Sequence, residues 1–255
     1  MTTTLVTGGT SGIGAAYARA YAARGDDLVL VARDMDRLAS VAAELRAAHG
    51  VDVETIQADL SVREDVLRVA ARLEDAARPV DTLVNNAGFG VHSRLLDADF
   101  SAHETALDVM CLAVLILGGA AGRAMKARGR GRIVNISSLA SWIAQGGYSP
   151  VKAFVRSYSE GLAAELHGTG VTVTAVCPGW VRTEFHERAG IRTSAIPGFI
   201  WVDADRMVAE SLKDIERGKT MSVPAKRWKV AAFLSVHGPR AGVLFFSRLL
   251  SKSRA

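Results

Sequence analysis

Short runs of buried-type hydrophobic residues alternate along this chain with longer stretches in which apolar positions recur at helical spacing. The runs are rich in Val, Leu and Ile, as in strands that are buried on both faces of a sheet. They begin at Leu5, Leu28, Val53, Thr82, Arg132 and Val171. Strands that alternate with helices in this way predict a parallel sheet covered by helices on both sides. We therefore expect an α/β fold with a doubly wound parallel sheet in a single domain.

A glycine-rich turn follows the first predicted strand. Gly8, Gly12 and Gly14 form a G-x-x-x-G-x-G pattern just before an alanine-rich helix that runs to Ala23. Glycines permit a tight turn and close backbone approach, and a helix N-terminus favours a pyrophosphate. The pattern predicts a Rossmann-like dinucleotide site, and a glycine-rich turn without a ligand is the alternative. The cofactor contacts expected on this turn are Gly8, Thr10, Ser11, Gly12, Ile13 and Gly14.

The second predicted strand ends at Ala32 and delivers Arg33, about 20 residues beyond the glycines. An acidic residue here accepts hydrogen bonds from the ribose hydroxyls of NAD, whereas an arginine pairs with the 2′-phosphate of NADP. Arg33 therefore predicts NADP. Asp34 follows at once, and its alternative role is to cap the predicted helix 34–49.

Polar or glycine-containing segments also follow later strands. Asp59 and Leu60 directly follow the predicted strand 53–58, and Asn85 to Gly88 follow the strand that begins at Thr82. The carboxyl ends of parallel strands meet at one edge of a sheet, which is where ligands bind. These segments therefore predict one shared cleft.

Tyr148 and Lys152 lie four residues apart at the start of a predicted helix that runs to about Leu166. Residues four apart share one helical face, and a cation beside a phenol favours the phenolate. The pair can therefore donate and accept a proton, although an ordinary amphipathic helix is the alternative. Ser137 and Ser138 follow the fifth strand, which ends at Ile136.

Taken together, these motifs resemble the short-chain dehydrogenase/reductase family over roughly residues 4–225. The residues that carry the resemblance, in the order and spacing of the family, are Thr7, Gly12, Ile13, Gly14, Asn85, Asn86, Ala87, Gly88, Ser138, Tyr148, Lys152, Pro178 and Gly179. The resemblance implies an NADP-dependent oxidoreductase that interconverts a carbonyl and a secondary alcohol.

The resemblance also implies roles for individual residues. Ser138 is expected to hydrogen-bond the substrate oxygen, Tyr148 to act as general acid or base, and Lys152 to hold the nicotinamide ribose and lower the pKa of Tyr148. Asp59 and Leu60 are expected beside the adenine. The other implied cofactor contacts are Asn86, Ala87, Gly88, Pro178, Gly179, Val181 and Thr183.

The long apolar helix predicted from Leu107 to Met125 contains one departure from the family. The family usually has an asparagine there that helps to hold a water in the proton path, and this chain has Met110. A thioether is only a weak acceptor and donates no hydrogen bond. We expect a rerouted or slower proton relay. A simpler interpretation is that Met110 fills the core.

Residues 184–207 correspond to the variable substrate lid of the family, within a catalytic domain predicted over 1–225. An apolar and aromatic run from Ile196 to Trp201 favours a hydrophobic carbonyl or alcohol substrate. The alternative is that this run packs on the domain or on a neighbouring subunit.

Residues 226–255 form a basic, amphipathic C-terminal extension of the same domain. The chain carries a net charge of +5, and most of its basic excess lies between Lys213 and Arg254. One interpretation is a helix that lies on a membrane surface, and the other is a helix that packs on its own domain or on another subunit. The net positive charge is the only feature that favours nucleic-acid binding, and it is insufficient by itself. We therefore expect no nucleic-acid partner.

Several further properties are expected of the chain. Cys111 and Cys177 lie far apart in apolar runs and are expected to be buried free thiols of a reducing compartment. We expect no signal peptide, a cytoplasmic location, no metal site, and a homodimer or homotetramer formed through the apolar helices 107–125 and 152–166. The competing function is a dinucleotide-binding scaffold that has lost its chemistry; Met110 favours it, whereas the intact Ser138, Tyr148 and Lys152 argue against it.

Overall fold

A seven-stranded parallel sheet forms the centre of the computed structural model, which describes residues 2–91, 93–184, 197–239, 241–245 and 247. The strand order is β3-β2-β1-β4-β5-β6-β9, and every pairing is parallel. The predicted fold class, a doubly wound α/β sheet in one domain, is confirmed. The strands are β1 (Thr3–Thr7), β2 (Asp27–Ala32), β3 (Val53–Gln57), β4 (Thr82–Asn85), β5 (Gly131–Ile136), β6 (Val171–Val176), β7 (Val181–Arg182), β8 (Val202–Asp203) and β9 (Met221–Ser222).

Helices cover both faces of the sheet. On one face α1, α2 and α7 bury side chains such as Tyr17, Leu38 and Leu212. On the other face α3 and α5 bury Val69 and Leu117 among others. The helices are α1 (Gly12–Ala22), α2 (Met35–His49), α3 (Arg63–Glu74), α4 (Ser101–Leu107), α5 (Ala113–Arg128), α6 (Tyr148–Glu165), α7 (Ala204–Glu216) and α8 (Lys226–His237).

The strand order reverses at β1, which pairs with β2 on one side and with β4 on the other. The chain therefore first builds the sheet in one direction through β3 and then returns to extend it the other way from β4. The loops that leave β1 and β4 consequently diverge and open a crevice at the carboxyl edge of the sheet. Such a switch point is the usual ligand site of a doubly wound fold.

The long apolar helix is longer than predicted and is not uniformly α-helical. Helical structure runs from Ser101 to Arg128, with a turn of π-helix at Asp108–Leu112 between α4 and α5. This stretch is long and apolar enough to cross a membrane. However, 56% of its apolar 18-residue segment is buried, as is usual for a core helix. Single π turns inside α-helices often occur at functional sites.

Three short strands lie beyond the six predicted ones. β9 adds a seventh strand beside β6, and β7 pairs with β8 in a separate two-stranded sheet. Each has only two residues, which is too short to produce a recognisable period in the sequence. These strands were not predicted.

The predicted lid, residues 184–207, lies partly outside the described residues, since positions 185–196 are not described. Its described end contains β8 and the first turn of α7, where Met207 is buried in the core. In the C-terminal extension, residues 226–237 form α8, and positions 240, 246 and 248–255 lie outside the description.

Candidate active site

A long cleft of about 1960 Å³ opens at the carboxyl edge of the sheet. This exceeds the range of roughly 300–1,000 Å³ for a drug-sized ligand, so the cleft has room for a dinucleotide and a second molecule. Every predicted site residue except Gly14 lines it, namely Gly8, Thr10, Ser11, Gly12, Ile13, Arg33, Asp59, Leu60, Asn86, Ala87, Gly88, Ser138, Tyr148, Lys152, Pro178, Gly179, Val181 and Thr183.

The glycine-rich turn between β1 and α1 depends on the absence of side chains. Gly8 and Gly12 have φ angles of +66° and +53°, a region that favours glycine. Gly14 instead allows close packing, because a Cβ at this position would lie 2.1 Å from the carbonyl oxygen of Gly8. Gly14 therefore lies behind the turn and determines its shape. The turn leaves the N-terminus of α1 facing the cleft, which suits a pyrophosphate.

Thr7 joins the ends of β1 and β4. Its hydroxyl accepts hydrogen bonds from the N–H groups of Asn86 at 2.9 Å and Ala87 at 3.1 Å. The side-chain amide of Asn86 donates back to the carbonyl oxygen of Thr7 at 3.0 Å. The two loops that border the switch point are thus held together. The sequence placed Thr7 in the motif but did not reveal this role.

Arg33 and Asp59, which are predicted to border the adenosine, both line the cleft. Arg33 is exposed just after the end of β2, and its positive charge interacts electrostatically with the carboxylate of Asp59. Partial burial acts to raise the pKa of Asp59, but hydrogen bonds from Ser61 and the charge of Arg33 outweigh it, so the pKa is lowered. Asp34 caps α2 by accepting a hydrogen bond from the N–H of Arg37 at 3.0 Å, which confirms the capping alternative for this residue.

Lys152 is buried beneath the ring of Tyr148 on the first turns of α6. Its Nζ lies 5.6 Å from the centroid of the Tyr148 ring and donates a hydrogen bond of 2.9 Å to the carbonyl oxygen of Ile136. Burial lowers the pKa of Lys152 to about 8, while the neighbouring Cys111 and Cys177 act in the opposite direction. The spacing of four residues therefore brings phenol and amine together inside the cleft, as predicted.

The two serines after β5 have different surroundings. Ser137 is buried, and its hydroxyl donates to the backbone carbonyl of Lys152 at 2.7 Å. Ser137 and Ser138 both line the cleft, and the hydroxyl oxygen of Ser138 accepts a hydrogen bond from the N–H of Ala140 at 3.1 Å. Because the hydroxyl proton of Ser137 is already donated to the backbone of α6, Ser138 is the better placed of the two to donate to a ligand.

Met110 lies on the π turn and packs against Gly88, a residue that lines the cleft. A Cβ added to Gly88 would lie 2.9 Å from Sδ of Met110 and 3.7 Å from Nζ of Lys152. The side chain is buried, so it is core filler as well as a neighbour of the amine. Both predicted free thiols are buried, and burial raises the pKa of Cys111 to about 11 and of Cys177 to about 12.

A buried chain of polar side chains, which the sequence did not reveal, ties α6 to the sheet. The amide of Asn85 donates to Asn135 at 2.9 Å, and the amide of Asn135 donates to the hydroxyl of Ser159 at 2.9 Å. Ser159 in turn donates to the carbonyl oxygen of Val155. Because these groups satisfy one another in the core, the helix that carries Tyr148 is fixed relative to β4 and β5.

Part of the cleft is lined by residues from the C-terminal part of the chain. These are Trp180, Ile200 and Trp228, together with Ala231 and Ser235 from α8. A Cβ on Gly179 would lie 2.2 Å from the indole of Trp228, so the absence of a side chain at Gly179 lets α8 pack closely against the cleft. That the extension forms part of the cleft was not foreseen from its sequence.

Among the residues that the structure describes, no group of three or more His, Cys, Asp or Glu side chains is placed to hold a metal ion. The cleft instead offers the parts of a nucleotide site. Gly12 adds no side chain to the turn that borders the cleft, α1 presents its N-terminus there, and Arg33 lies on the same lining.

A dinucleotide cleft that ends in a tyrosine–lysine pair defines a nicotinamide-type oxidoreductase. The family described as "short chain dehydrogenase" matches residues 2–192. The chain belongs to the short-chain dehydrogenase family, and the predicted family and enzyme class are confirmed.

The chain is similar to several characterised and solved members of this family. A short-chain dehydrogenase from Sphingobium yanoikuyae, solved with NADPH, is 37% identical, with a TM-score of 0.86 over 95% of this chain and 94% of that one. A bulky-bulky ketone specific alcohol dehydrogenase from Comamonas testosteroni is 31% identical, with a TM-score of 0.79 over 94% and 96%. The galactitol 2-dehydrogenase (L-tagatose-forming) of Cereibacter sphaeroides is 34% identical over 91% of this chain and 92% of that protein.

Proposed function

We propose that this protein is an NADP-dependent reductase or dehydrogenase that interconverts a hydrophobic carbonyl compound and its secondary alcohol, with Tyr148 as general acid or base. The observation that carries the proposal is the placement of Tyr148 above the buried amine of Lys152 in the cleft that Ser138 also lines. The bound cofactor supplies or accepts the hydride. The chain itself has to orient the carbonyl, exchange one proton and exclude water.

Each catalytic side chain has a distinct task in this proposal. The hydroxyls of Ser138 and Tyr148 hold the carbonyl oxygen, and Tyr148 gives up its proton as the alcohol forms. Lys152, with its pKa lowered to about 8 by burial, exchanges a proton near neutral pH and, when charged, stabilises the phenolate. Ser137 and the Asn135–Ser159 hydrogen bond keep α6 in place.

Arg33 supports NADP as the cofactor. It is exposed at the end of β2, on the lining of the cleft, where an acidic residue would favour NAD. The relative from Sphingobium yanoikuyae was solved with NADPH, which agrees with this assignment. The predicted contacts from Gly8 to Thr183 would hold the remainder of the dinucleotide.

The substrate end of the cleft favours an apolar or aromatic compound. Trp180, Ile200 and Trp228 present mainly hydrocarbon surface to it. Trp201 lies behind Trp180, with ring centroids 5.5 Å apart, so part of the predicted aromatic run packs on the domain rather than on substrate. A relative that acts on bulky ketones shares this fold over nearly its whole length.

We also propose that the enzyme acts in the cytoplasm as a homodimer or homotetramer. Apolar side chains are exposed on the long apolar helix, at Leu112 and Leu115, and on α6, at Phe154. Surface of this kind is typical of subunit contacts. The helices 107–125 and 152–166, which the family uses for assembly, carry these residues.

The experiment that tests the proposal is NADPH oxidation measured against a panel of hydrophobic ketones and aldehydes. Tyr148→Phe is expected to lower kcat by about 10²–10⁴-fold, the usual contribution of general acid–base catalysis. Tyr158→Phe is the matched control, because Tyr158 lies on the same helix and its hydroxyl bonds only the backbone of Leu115 among the hydrogen bonds described. Turnover that survives in Tyr148→Phe contradicts the assigned mechanism, and no turnover of any carbonyl by the wild type favours the scaffold alternative.

A further inference from the structure

We propose that the outward face of α8 binds an anionic lipid surface. The helix has two faces with different environments. Trp228, Ala231, Ala232 and Ser235 recur at helical spacing and face inward, where three of them line the cleft and Ala232 is buried. The opposite face carries Val230, Phe233, Leu234 and Val236.

The outward face is unusually apolar for a solvent-exposed helix. Val230, Phe233, Leu234 and Val236 expose 60%, 62%, 59% and 52% of their surface. Positions 230, 233 and 234 lie on adjacent turns of one helical face. Phe245, further along the described chain, is 64% exposed. A contiguous apolar face of this kind marks an interaction site.

The C-terminal part of the sequence is basic, and Lys226, Arg227 and Lys229 lie on α8 itself, which indicates an anionic partner. No acidic residue follows Glu216 in the sequence, whereas nine basic residues do: Arg217, Lys219, Lys226, Arg227, Lys229, Arg240, Arg248, Lys252 and Arg254. Residues 1–216 contain 22 basic and 26 acidic residues, so the positive charge of the chain is concentrated in residues 217–255. Basic residues beside exposed aromatic and aliphatic side chains are typical of helices that lie in the interface of an anionic bilayer.

The same charge disfavours a second copy of the chain as the occupant. In a two-fold symmetric contact each face meets itself, so Lys226 and Arg227 of one copy would approach the like charges of the other. Glu210 on α7 lies near enough to Lys229 to feel its charge, and Lys229 is therefore partly compensated within the domain. Lys226 and Arg227, both exposed at the start of α8, are the residues on which a test should rely.

The location of α8 gives the interaction a consequence for the active site. Because the inward face walls the substrate end of the cleft, a membrane-bound α8 places that end close to the lipid. An apolar substrate dissolved in the bilayer would then have a short path to Tyr148. This consequence rests on the proposed function, whereas the binding itself does not.

The test is co-sedimentation of the full chain with vesicles of phosphatidylcholine containing phosphatidylglycerol, and with vesicles of phosphatidylcholine alone. We expect binding to the anionic vesicles that weakens as salt is added. Lys226→Gln combined with Arg227→Gln is expected to weaken it about 30-fold, since each basic residue near the surface contributes roughly 1 kcal/mol. Phe233→Ser combined with Leu234→Ser should weaken it at least about tenfold.

Leu67→Ser on α3 is the matched control, because Leu67 is an exposed leucine on a helix remote from α8 in the sequence. It should bind vesicles as the wild type does. NADPH binding, followed by fluorescence, confirms that each variant is folded and does not depend on turnover. Equal binding to both vesicle types, or no binding, overturns the proposal. Self-association without lipid that the Phe233 and Leu234 variant abolishes would assign the face to a second copy instead.

Discussion

Met110 packs against Gly88 so closely that a Cβ on Gly88 would lie 2.9 Å from the sulfur, on the side where Nζ of Lys152 also lies. At the position where the resemblance predicts an asparagine, the chain thus has a side chain without a hydrogen-bond donor. The π turn at Asp108–Leu112 that carries Met110 is nevertheless formed. The local backbone therefore forms this turn without an asparagine side chain.

Met110→Asn is expected to raise kcat several-fold. The amide restores hydrogen-bonding groups beside Lys152, so the proton that Tyr148 gives up is replaced faster. Steady-state reductase kinetics with NADPH provide the measurement. Met110→Leu, which keeps the volume but changes no hydrogen bond, should match the wild type. An unchanged kcat in Met110→Asn would remove the idea of an impaired relay.

Arg33→Asp is expected to reverse the cofactor preference. The arginine loses its pairing with the 2′-phosphate, which is worth about 1.5–3 kcal/mol for a hydrogen bond to a charged group, or roughly 10–150-fold in the KM for NADPH. The introduced carboxylate accepts hydrogen bonds from the ribose hydroxyls of NADH. Measuring kcat/KM for both cofactors in one variant provides an internal control. A parallel loss with both cofactors would show a general disruption of the site.

Gly14→Ala is expected to abolish tight NADPH binding. The new methyl group would meet the carbonyl oxygen of Gly8 at 2.1 Å, and because this is backbone it can be relieved only by moving the turn. Gly161→Ala on α6 is the matched control, since a Cβ there meets nothing within 4 Å. It should stabilise the fold by about 0.5–1 kcal/mol. Fluorescence titration and thermal unfolding test both; full affinity in Gly14→Ala would contradict the packing described.

Lys152 makes the stability of the cofactor-free protein rise with pH. Burial lowers its pKa from 10.5 to about 8, so above pH 8 the unfolded chain binds a proton that the folded chain has lost. Relative to Lys152→Met, the free energy of unfolding should therefore increase between pH 8 and 10.5, by about 3 kcal/mol in total. Denaturant titrations at several pH values measure this. If the difference in the free energy of unfolding between the two proteins stays constant over this pH range, the pKa of Lys152 is not lowered.

Most of the fold was readable from the sequence because its signals are local. Runs such as Leu28 to Ala32 are short, apolar and bounded by polar residues, so the six longer strands were placed within a few residues of their observed ends. The helix Ala204–Glu216 was not predicted, and the long apolar helix begins at Ser101 rather than at Leu107. The two-residue strands β7, β8 and β9 were missed because they have no period. The π turn was missed because it arises from one extra residue in an otherwise regular helix.

The site was predictable where a residue acts through its own chemistry or backbone. Tyr148, Lys152, Arg33 and the glycines Gly8 and Gly12 have few alternatives at their spacing, and the structure brings them to one cleft. Residues that act through a distant partner were not readable. The Asn85–Asn135–Ser159 chain joins positions 50 and 24 residues apart, and nothing near any of them indicates the other two.

The contact between Gly179 and Trp228 links two positions in any redesign of the pocket. Since the indole occupies the volume a Cβ at 179 would need, a larger residue at 179 is compatible only with a smaller one at 228. The two positions should therefore vary jointly among natural variants. An effort to admit larger substrates would begin with Trp228→Ala alone, which enlarges the cavity while leaving the glycine in place.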